Sequence, residues 1–391
     1  MWSRNTWSIL PAGATLIRYY RCNTITKYMA RSLLAPPTLP NNRVAQLIQS
    51  SYPITNITTH SVQLLDGFED CNYLFKGSLM GNNATKEYIF KMMVESNPDY
   101  FDAITKLMHH ISKEGFKISL PVPSHNNKDT IFLKKSYLVQ KESQDDVTYG
   151  GLLLNYLPGN VLSEVDRSPR LLYSIGTNVG KLSTVLQKFS HPYLETRHYE
   201  RDLKHFLDLR PYLEYADVAE EKKCFESAFR HYSEHVVPKL PQFRTSVLHN
   251  DLNGDNFVCT MENPSEFVGL IDVFDAVSSY SVFDGAIFIA YVMMLECTNP
   301  LEYSEPAVSG YLSTFPLSEV EFDCLYYLVA CHLTQSTLHA LHSQSVFPDN
   351  PYRTRTLYES RTTLQKLLST PKREVDRIWR AAQEKTVKDY N

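Results

Sequence analysis

The sequence predicts an α+β protein of two lobes: a small strand-rich lobe at residues 41–154 and a larger helical lobe at 155–391. Three observations carry this. Between residues 60 and 157, short runs alternate apolar and polar residues and are separated by turn residues. After Asp284, nearly every stretch repeats its apolar residues at helical spacing. Between them, Thr245 to Asp284 holds two short apolar runs, each followed by a cluster of carboxylates and carboxamides. That layout sets acidic loops at the ends of two strands, where chemistry is commonly carried.

The first 40 residues stand apart. From Met1 to Leu65 there is no Asp or Glu, while Arg4, Arg18, Arg21, Lys27, Arg31 and Arg43 are present. This is the composition of a mitochondrial transit peptide; a basic tail without a targeting role, or a start at Met29, are the competing explanations. The expected location is the cytoplasm, or the mitochondrial matrix if the leader acts. Ala35-Pro-Pro-Thr-Leu-Pro40 reads as a breaker-rich linker, and a short helix through Val44, Leu47 and Ile48 opens the folded part.

Strands follow at Asn72–Leu79 and Ala84–Val94 around the turn Met80-Gly-Asn-Asn83. The second places Tyr88, Phe90 and Met92 on one face and Ile89, Lys91 and Met93 on the other. Lys91 is therefore a lone cation in an apolar strand. It is either an edge lysine whose ammonium snorkels to water or a lysine that holds nucleotide phosphates. Asn97-Pro98-Asp99 opens a helix that runs to about Lys113 and stops before Gly115. Asp102 lies in its second turn, as either an acidic partner for Lys91 or a solvent-facing acid. Strands return over 130–157. Asn155 to Gly159 reads as the hinge between lobes, where backbone groups, with Asn155 and Leu157 as candidates, could bond a purine edge. Helices are expected at Leu171–Phe189, Val218–Val237, Ala286–Glu296, Leu317–Ser343, Tyr352–Leu368 and Glu374–Thr386.

The central stretch carries the chemistry. His249, Asp251, Leu252 and Asn256 fill the H-x-D-L-x-x-x-N pattern of phosphoryl-transfer loops, and Asp272 stands at the end of the next apolar run. Asp251 is placed to accept the proton of an attacking hydroxyl. Asn256 and Asp272 are hard oxygen ligands suited to Mg²⁺. The competing explanation is a polar loop between core strands, its Asp and Asn residues making turns. Phosphate cradling is the weak part: the candidate loop, Leu65 to Asn72, has a single glycine and no Gly-rich motif.

Composition narrows the class. The net charge is −4 with both signs interspersed, which argues against nucleic-acid binding. The longest apolar run, Gly285 to Leu295, is too short to span a bilayer. The seven cysteines have no CxxC spacing, so neither a zinc site nor a disulfide framework is expected. A reducing compartment is the simplest reading.

His249-Asn-Asp-Leu-Asn-Gly-Asp-Asn256, Ile271-Asp272 with Asp275, and Val282-Phe-Asp284 resemble the aminoglycoside phosphotransferase/choline kinase superfamily. Flanking stretches are more closely similar to the hydroxylysine kinases: Phe68-Glu-Asp-Cys-Asn72, Phe90-Lys91, Tyr156-Leu-Pro-Gly159, Tyr291-Val-Met-Met294 and Gln335-Ser336. The resemblance implies a protein-kinase-like fold with an antiparallel-sheet N-lobe. It implies transfer of the γ-phosphoryl group of GTP (or ATP) to the side-chain hydroxyl of 5-hydroxy-L-lysine, with Mg²⁺. Carried over by position, Asp251 is the catalytic residue and Asn256 and Asp272 are the metal ligands. Lys91 would be the phosphate-binding lysine and Asp102 its acidic partner. Asn72, Asn155 and Leu157 are further candidates for the nucleotide site.

A substrate with two ammonium groups calls for carboxylates, and Asp275, Asp284 and Glu296 are the candidates; a helix N-cap is the competing role for Asp284. Phe283, Ile287 and Tyr291 are expected in the core. Two family glycines are replaced, by Asn250 and Phe274. If either position needs positive φ, its loop must rearrange. Alternatives are a kinase for choline, ethanolamine or homoserine, and an inactive nucleotide-binding relative. A protein kinase is disfavoured, because no Ala-Pro-Glu motif follows Asp272.

Overall fold

A computed structural model describes residues 36–67, 70–82, 84–139, 147–262, 266–346, 348 and 354–390. All but the last few residues of the expected leader, and Phe68 and Glu69 of the candidate phosphate loop, lie outside these. The described residues form two compact units: those up to Pro98 with Pro121–Tyr156, and Asp99–Leu120 with those from Leu157 onward.

The first unit opens with α1 (Asn41–Ser51), followed by β1 (Ile54–Thr55), β2 (Gln63–Leu65), β3 (Cys71–Leu79) and β4 (Thr85–Met93). After α2 (Pro98–Lys113), it resumes with β5 (Thr130–Lys134), α3 (Lys135–Val139) and β6 (Thr148–Asn155). The sheet is antiparallel, in the order β1-β3-β4-β6-β5, with β2 also paired to β3. The alternation read from the sequence builds it: Phe75, Phe90 and Leu153 are fully covered in one cluster with Tyr52 of the loop after α1. Each such side chain contributes about 1.5–3 kcal/mol on burial. Gly81 supplies the positive φ of the β3–β4 turn. Because β4 lies between β3 and β6, Lys91 is an interior residue of the sheet and only 6% exposed. The edge-lysine explanation is thereby overturned.

The helix α2 was expected in the first lobe, but from Asp99 on it clusters with the second unit. Its contacts there explain this. Tyr100 Oη donates to the Phe274 carbonyl at 2.8 Å, and a His110 ring nitrogen lies 3.0 Å from the Val185 carbonyl. Just past the helix, Leu270 N donates to Lys117 O at 3.1 Å.

The second unit adds two small sheets. One is β10-β9-β7 (Phe267–Leu270, Phe257–Cys259, Asn160–Val161) and the other β11-β8 (Val277–Tyr280, Thr245–Leu248), all antiparallel. Its helices are α4 (Pro169–Leu186), α5 (Pro192–Thr196), α6 (Ala219–His231), α7 (Val282–Leu295), α8 (Pro300–Thr314), α9 (Glu319–Val346), α10 (Leu357–Ser369) and α11 (Lys372–Gln383). The helix α8 is not among the helices expected from the sequence, and it contains Pro300 and Pro306. Pro300 sits at the helix start, where a missing N–H costs nothing. Close packing against α4 holds the rest. A Cβ on Gly176 would come within 2.1 Å of the Ala307 carbonyl, and one on Gly310 within 2.0 Å of the Tyr173 carbonyl. At the entry to β8, Arg244 pairs with the fully buried Glu321 of α9 (Nη2–Oε2 2.6 Å). That fixes the strand preceding the His249 loop against the longest helix. No described helix is long and apolar enough to cross a membrane.

Candidate active site

The strand β8 delivers His249, Asn250 and Asp251 at its C-terminal end. Two backbone N–H groups of this loop, on His249 and Asn250, donate to Asp284 Oδ2 and Oδ1, each at 2.9 Å. Asp284 is 1% exposed, and burial pushes its carboxyl up to about 6 against the pull of these donors. Asp284 therefore anchors the loop. It does not cap α7, whose N-cap position is Ser281, nor does it present a carboxylate to a substrate, because it is buried with each oxygen accepting a backbone N–H. His249 ties the loop to the next strand. Its Nε2 lies 3.2 Å from the Ile271 carbonyl, and its Nδ1 is 3.4 Å from Asp251 N. Nε2–H can donate to the carbonyl while Nδ1 faces the Asp251 N–H.

The Asp251 carboxylate is held from several sides. Oδ1 accepts from Tyr291 Oη at 3.2 Å; Oδ2 accepts from Asn253 Nδ2 at 2.9 Å and from Asn256 Nδ2 at 3.1 Å. Burial pushes its carboxyl up to about 7, with the charges of Asp275 and Asp272 adding to the rise; Asn253 and the Arg201 charge oppose it. Such a group is suited to take a proton near neutral pH. Tyr291 was expected in the core. It lies seven residues after Asp284, two turns on along the same face of α7, and both reach the loop.

Asn256 also donates its Nδ2 to the Asp251 backbone carbonyl at 2.7 Å. Its amide nitrogen is thus committed inward, and Oδ1 is the atom left to act as a ligand. Asp272 follows β10 with φ 62° and ψ 64°. Two oxygen donors, one from a carboxylate, are the ligand chemistry that suits a hard cation such as Mg²⁺.

The replaced glycines resolve in physical terms. Asn250 has φ 66°, so that position does require the left-handed region, and Asn is the side chain after glycine that enters it most readily. Phe274 has no positive φ; the left-handed residue of that turn is Asp272 itself. Neither loop is forced to rearrange.

The remaining candidates divide. Asp275 acts electrostatically on the Tyr199 phenol and on Asp251, so it belongs to this group. Glu296, at the C-terminus of α7, turns back to accept from Thr298 N at 3.0 Å and is spent on local capping. Asp102, expected to pair with Lys91, lies half-exposed between Lys106 (2.6 Å) and His191 (3.1 Å), which hold its carboxyl below the usual range. The carboxylate found on Lys91 is Asp70, at 3.0 Å. Asn72 is the cross-strand partner of Lys91, and its Nδ2 lies against Gly67. Asn155 ends β6 exposed, paired with Tyr88, and Leu157 packs beside Gly269. Asn253, Tyr291, Tyr199 and Arg201 were not singled out from the sequence. Asn253, two residues from Asp251, was the nearest to being legible.

A family model described as phosphotransferase enzyme family matches residues 62–307. The chain belongs to that family. It is accordingly a phosphotransferase with an alcohol group as acceptor. Among curated proteins, it is 29% identical to hydroxylysine kinase of Danio rerio over 359 residues, covering 88% of this chain and 95% of the relative. It is 28% identical to the Mus musculus hydroxylysine kinase over 369 residues, covering 88% and 93%. Among solved structures, a microcompartment-associated aminopropanol kinase superposes with TM-score 0.63 at 15% identity, over 83% of this chain and 97% of that one. An amicoumacin kinase in complex with AMP-PNP, Ca²⁺ and Ami gives 0.60 at 15% identity, over 90% and 97%. These likenesses show the kinase-like fold, as expected.

Proposed function

We propose that this phosphotransferase moves the γ-phosphoryl group of GTP or ATP to the side-chain hydroxyl of 5-hydroxy-L-lysine, giving 5-phosphohydroxy-L-lysine. The observation that carries the chemistry is Asp251: a carboxylate oriented by Tyr291, Asn253 and Asn256, with its pKa near 7. The choice of acceptor is supported by the hydroxylysine kinases to which nearly the whole chain is similar.

In this mechanism Asp251 receives the hydroxyl proton as the acceptor oxygen bonds to the γ-phosphorus. The bond between that phosphorus and the β–γ bridging oxygen breaks, and the nucleoside diphosphate leaves. Asn256 and Asp272 would hold Mg²⁺, which supplies charge neutralisation for the phosphates when bound. Lys91, fixed by Asp70, is assigned to the nucleotide phosphates. The rigid loop, with His249 and Asn250 on Asp284, keeps Asp251 from relaxing as charge shifts, which is the main form of catalysis open to such a site.

The test is an acceptor panel with Mg²⁺. GTP and ATP are each assayed against 5-hydroxylysine, choline, ethanolamine and homoserine. Turnover of 5-hydroxylysine well above the others supports the proposal. Turnover of another acceptor in its place rejects the substrate. A folded protein that binds nucleotide but phosphorylates none of them rejects the activity.

A further inference from the structure

Beside Asp251 lies a polar group that the mechanism does not use. His332, Gln335 and His339 occur at i, i+3 and i+7 of α9 and so share one face of that helix. His332 is 5% exposed and Gln335 2% exposed. Gln335 approaches the His332 ring but falls short of hydrogen-bond geometry. Both ring nitrogens of His332 and Nε2 of Gln335 are therefore buried without a partner. A buried polar atom left unsatisfied is costly, so the arrangement calls for a polar occupant.

The same face leads to the catalytic carboxylate. The His332 ring meets Tyr291 edge-on, with centroids 4.7 Å apart, and Tyr291 Oη bonds Asp251. The Arg201 charge acts on Asp251, Tyr199, Tyr291, His332 and His339, which come from four separate segments. Burial, with Arg201 adding to it, pushes His332 down to about 3, and His339 is lowered by the same two causes. Both rings are neutral at neutral pH, so Arg201 carries the positive charge of the cluster. A guanidinium beside a neutral imidazole and a carboxamide is a donor set for an anion, and its planar fork matches a carboxylate. Asp275 acts on Asp251, Tyr199 and Tyr291 with the opposite charge.

We propose that Arg201, His332 and Gln335 bind the α-carboxylate of the acceptor, while Asp275 faces an ammonium group. The site then selects a hydroxy amino acid over an amino alcohol that lacks the carboxylate. A quaternary ammonium in the same place would meet the Arg201 charge. This assignment rests on the phosphoryl-transfer reaction proposed above.

The test compares 5-hydroxylysine with 1,5-diaminopentan-2-ol, the same molecule without its carboxylate, as acceptors for the wild type, Arg201→Gln and His332→Leu. The wild type is expected to favour 5-hydroxylysine in kcat/KM by roughly 10²-fold or more. Arg201→Gln should collapse that ratio, chiefly through KM for 5-hydroxylysine, and His332→Leu should shrink it. If Arg201→Gln does not fold, the His332→Leu ratio decides. A preference that survives in the folded variants, with both acceptors slowed equally, overturns the carboxylate site but leaves the reaction standing. Transfer to neither acceptor by the wild type removes the reaction and this assignment with it.

Discussion

Asn250 donates its backbone N–H to Asp284 Oδ1 at 2.9 Å while holding φ at 66°. The conformation that lets the loop turn is thus fixed by the carboxylate that receives it. Asp284→Ala orphans the buried N–H groups of both His249 and Asn250. The expected cost is about 2–4 kcal/mol in stability, with a loss of kcat beyond what the unfolded fraction explains. Chemical denaturation and steady-state rates measure the two parts. A stable, fully active Asp284→Ala protein contradicts the anchoring role.

The residue at 250 is expected to follow backbone strain rather than side-chain chemistry. Asn250→Gly should fold and turn over close to the wild type. Asn250→Val places a β-branched residue at positive φ and should cost about 1–3 kcal/mol together with activity. Equal melting temperatures for the two variants would refute this.

The raised pKa of Asp251 has two consequences with opposite signs. As a base it must be ionised, so kcat/KM should fall as pH drops through the range near 7. Raising Mg²⁺ should move that limb to lower pH, because a nearby cation favours the carboxylate. For stability, the folded pKa of about 7 lies above the unfolded value of 3.8. The contribution is complete below the unfolded value and lost as pH rises through 7. Asp251→Asn escapes that loss, so its melting temperature should gain on the wild type between pH 5 and pH 8. A constant difference across that range would show that Asp251 titrates normally.

The fold class and the layout of the His249 loop were legible because they rest on local patterns. Period-two alternation marked β3 and β4, and the spacing from His249 to Asn256 marked the loop that holds Asp251. What escaped depends on tertiary packing. The α8 helix hides behind Pro300 and Pro306 and exists because Gly176 and Gly310 let two helices touch at backbone distance. The partner of Lys91 was assigned to Asp102 by analogy, whereas Asp102 is drawn to Lys106 and His191. Tyr291 read as core because a single aromatic on an apolar helix carries no sign of its hydroxyl's partner. Asp284 read as a substrate carboxylate or a helix cap because a sequence does not show which backbone N–H groups fold over it.

Lys91, 6% exposed and bonded to Asp70, is expected to serve nucleotide binding more than folding. Lys91→Met keeps the packing of the stem and removes the charge. The nucleotide KM should rise roughly tenfold or more while KM for the acceptor changes little. An unchanged nucleotide KM would remove Lys91 from the phosphate site.

The most direct measurement follows the γ-phosphoryl group itself. Labelled GTP or ATP is incubated with Mg²⁺ and 5-hydroxylysine, and the label on the amino acid is counted for the wild type and for Asp251→Asn. The account predicts hydroxylysine-dependent transfer by the wild type, reduced about 10³-fold or more in the folded variant. Transfer that persists in Asp251→Asn at the wild-type rate, or label that reaches only water, would contradict it.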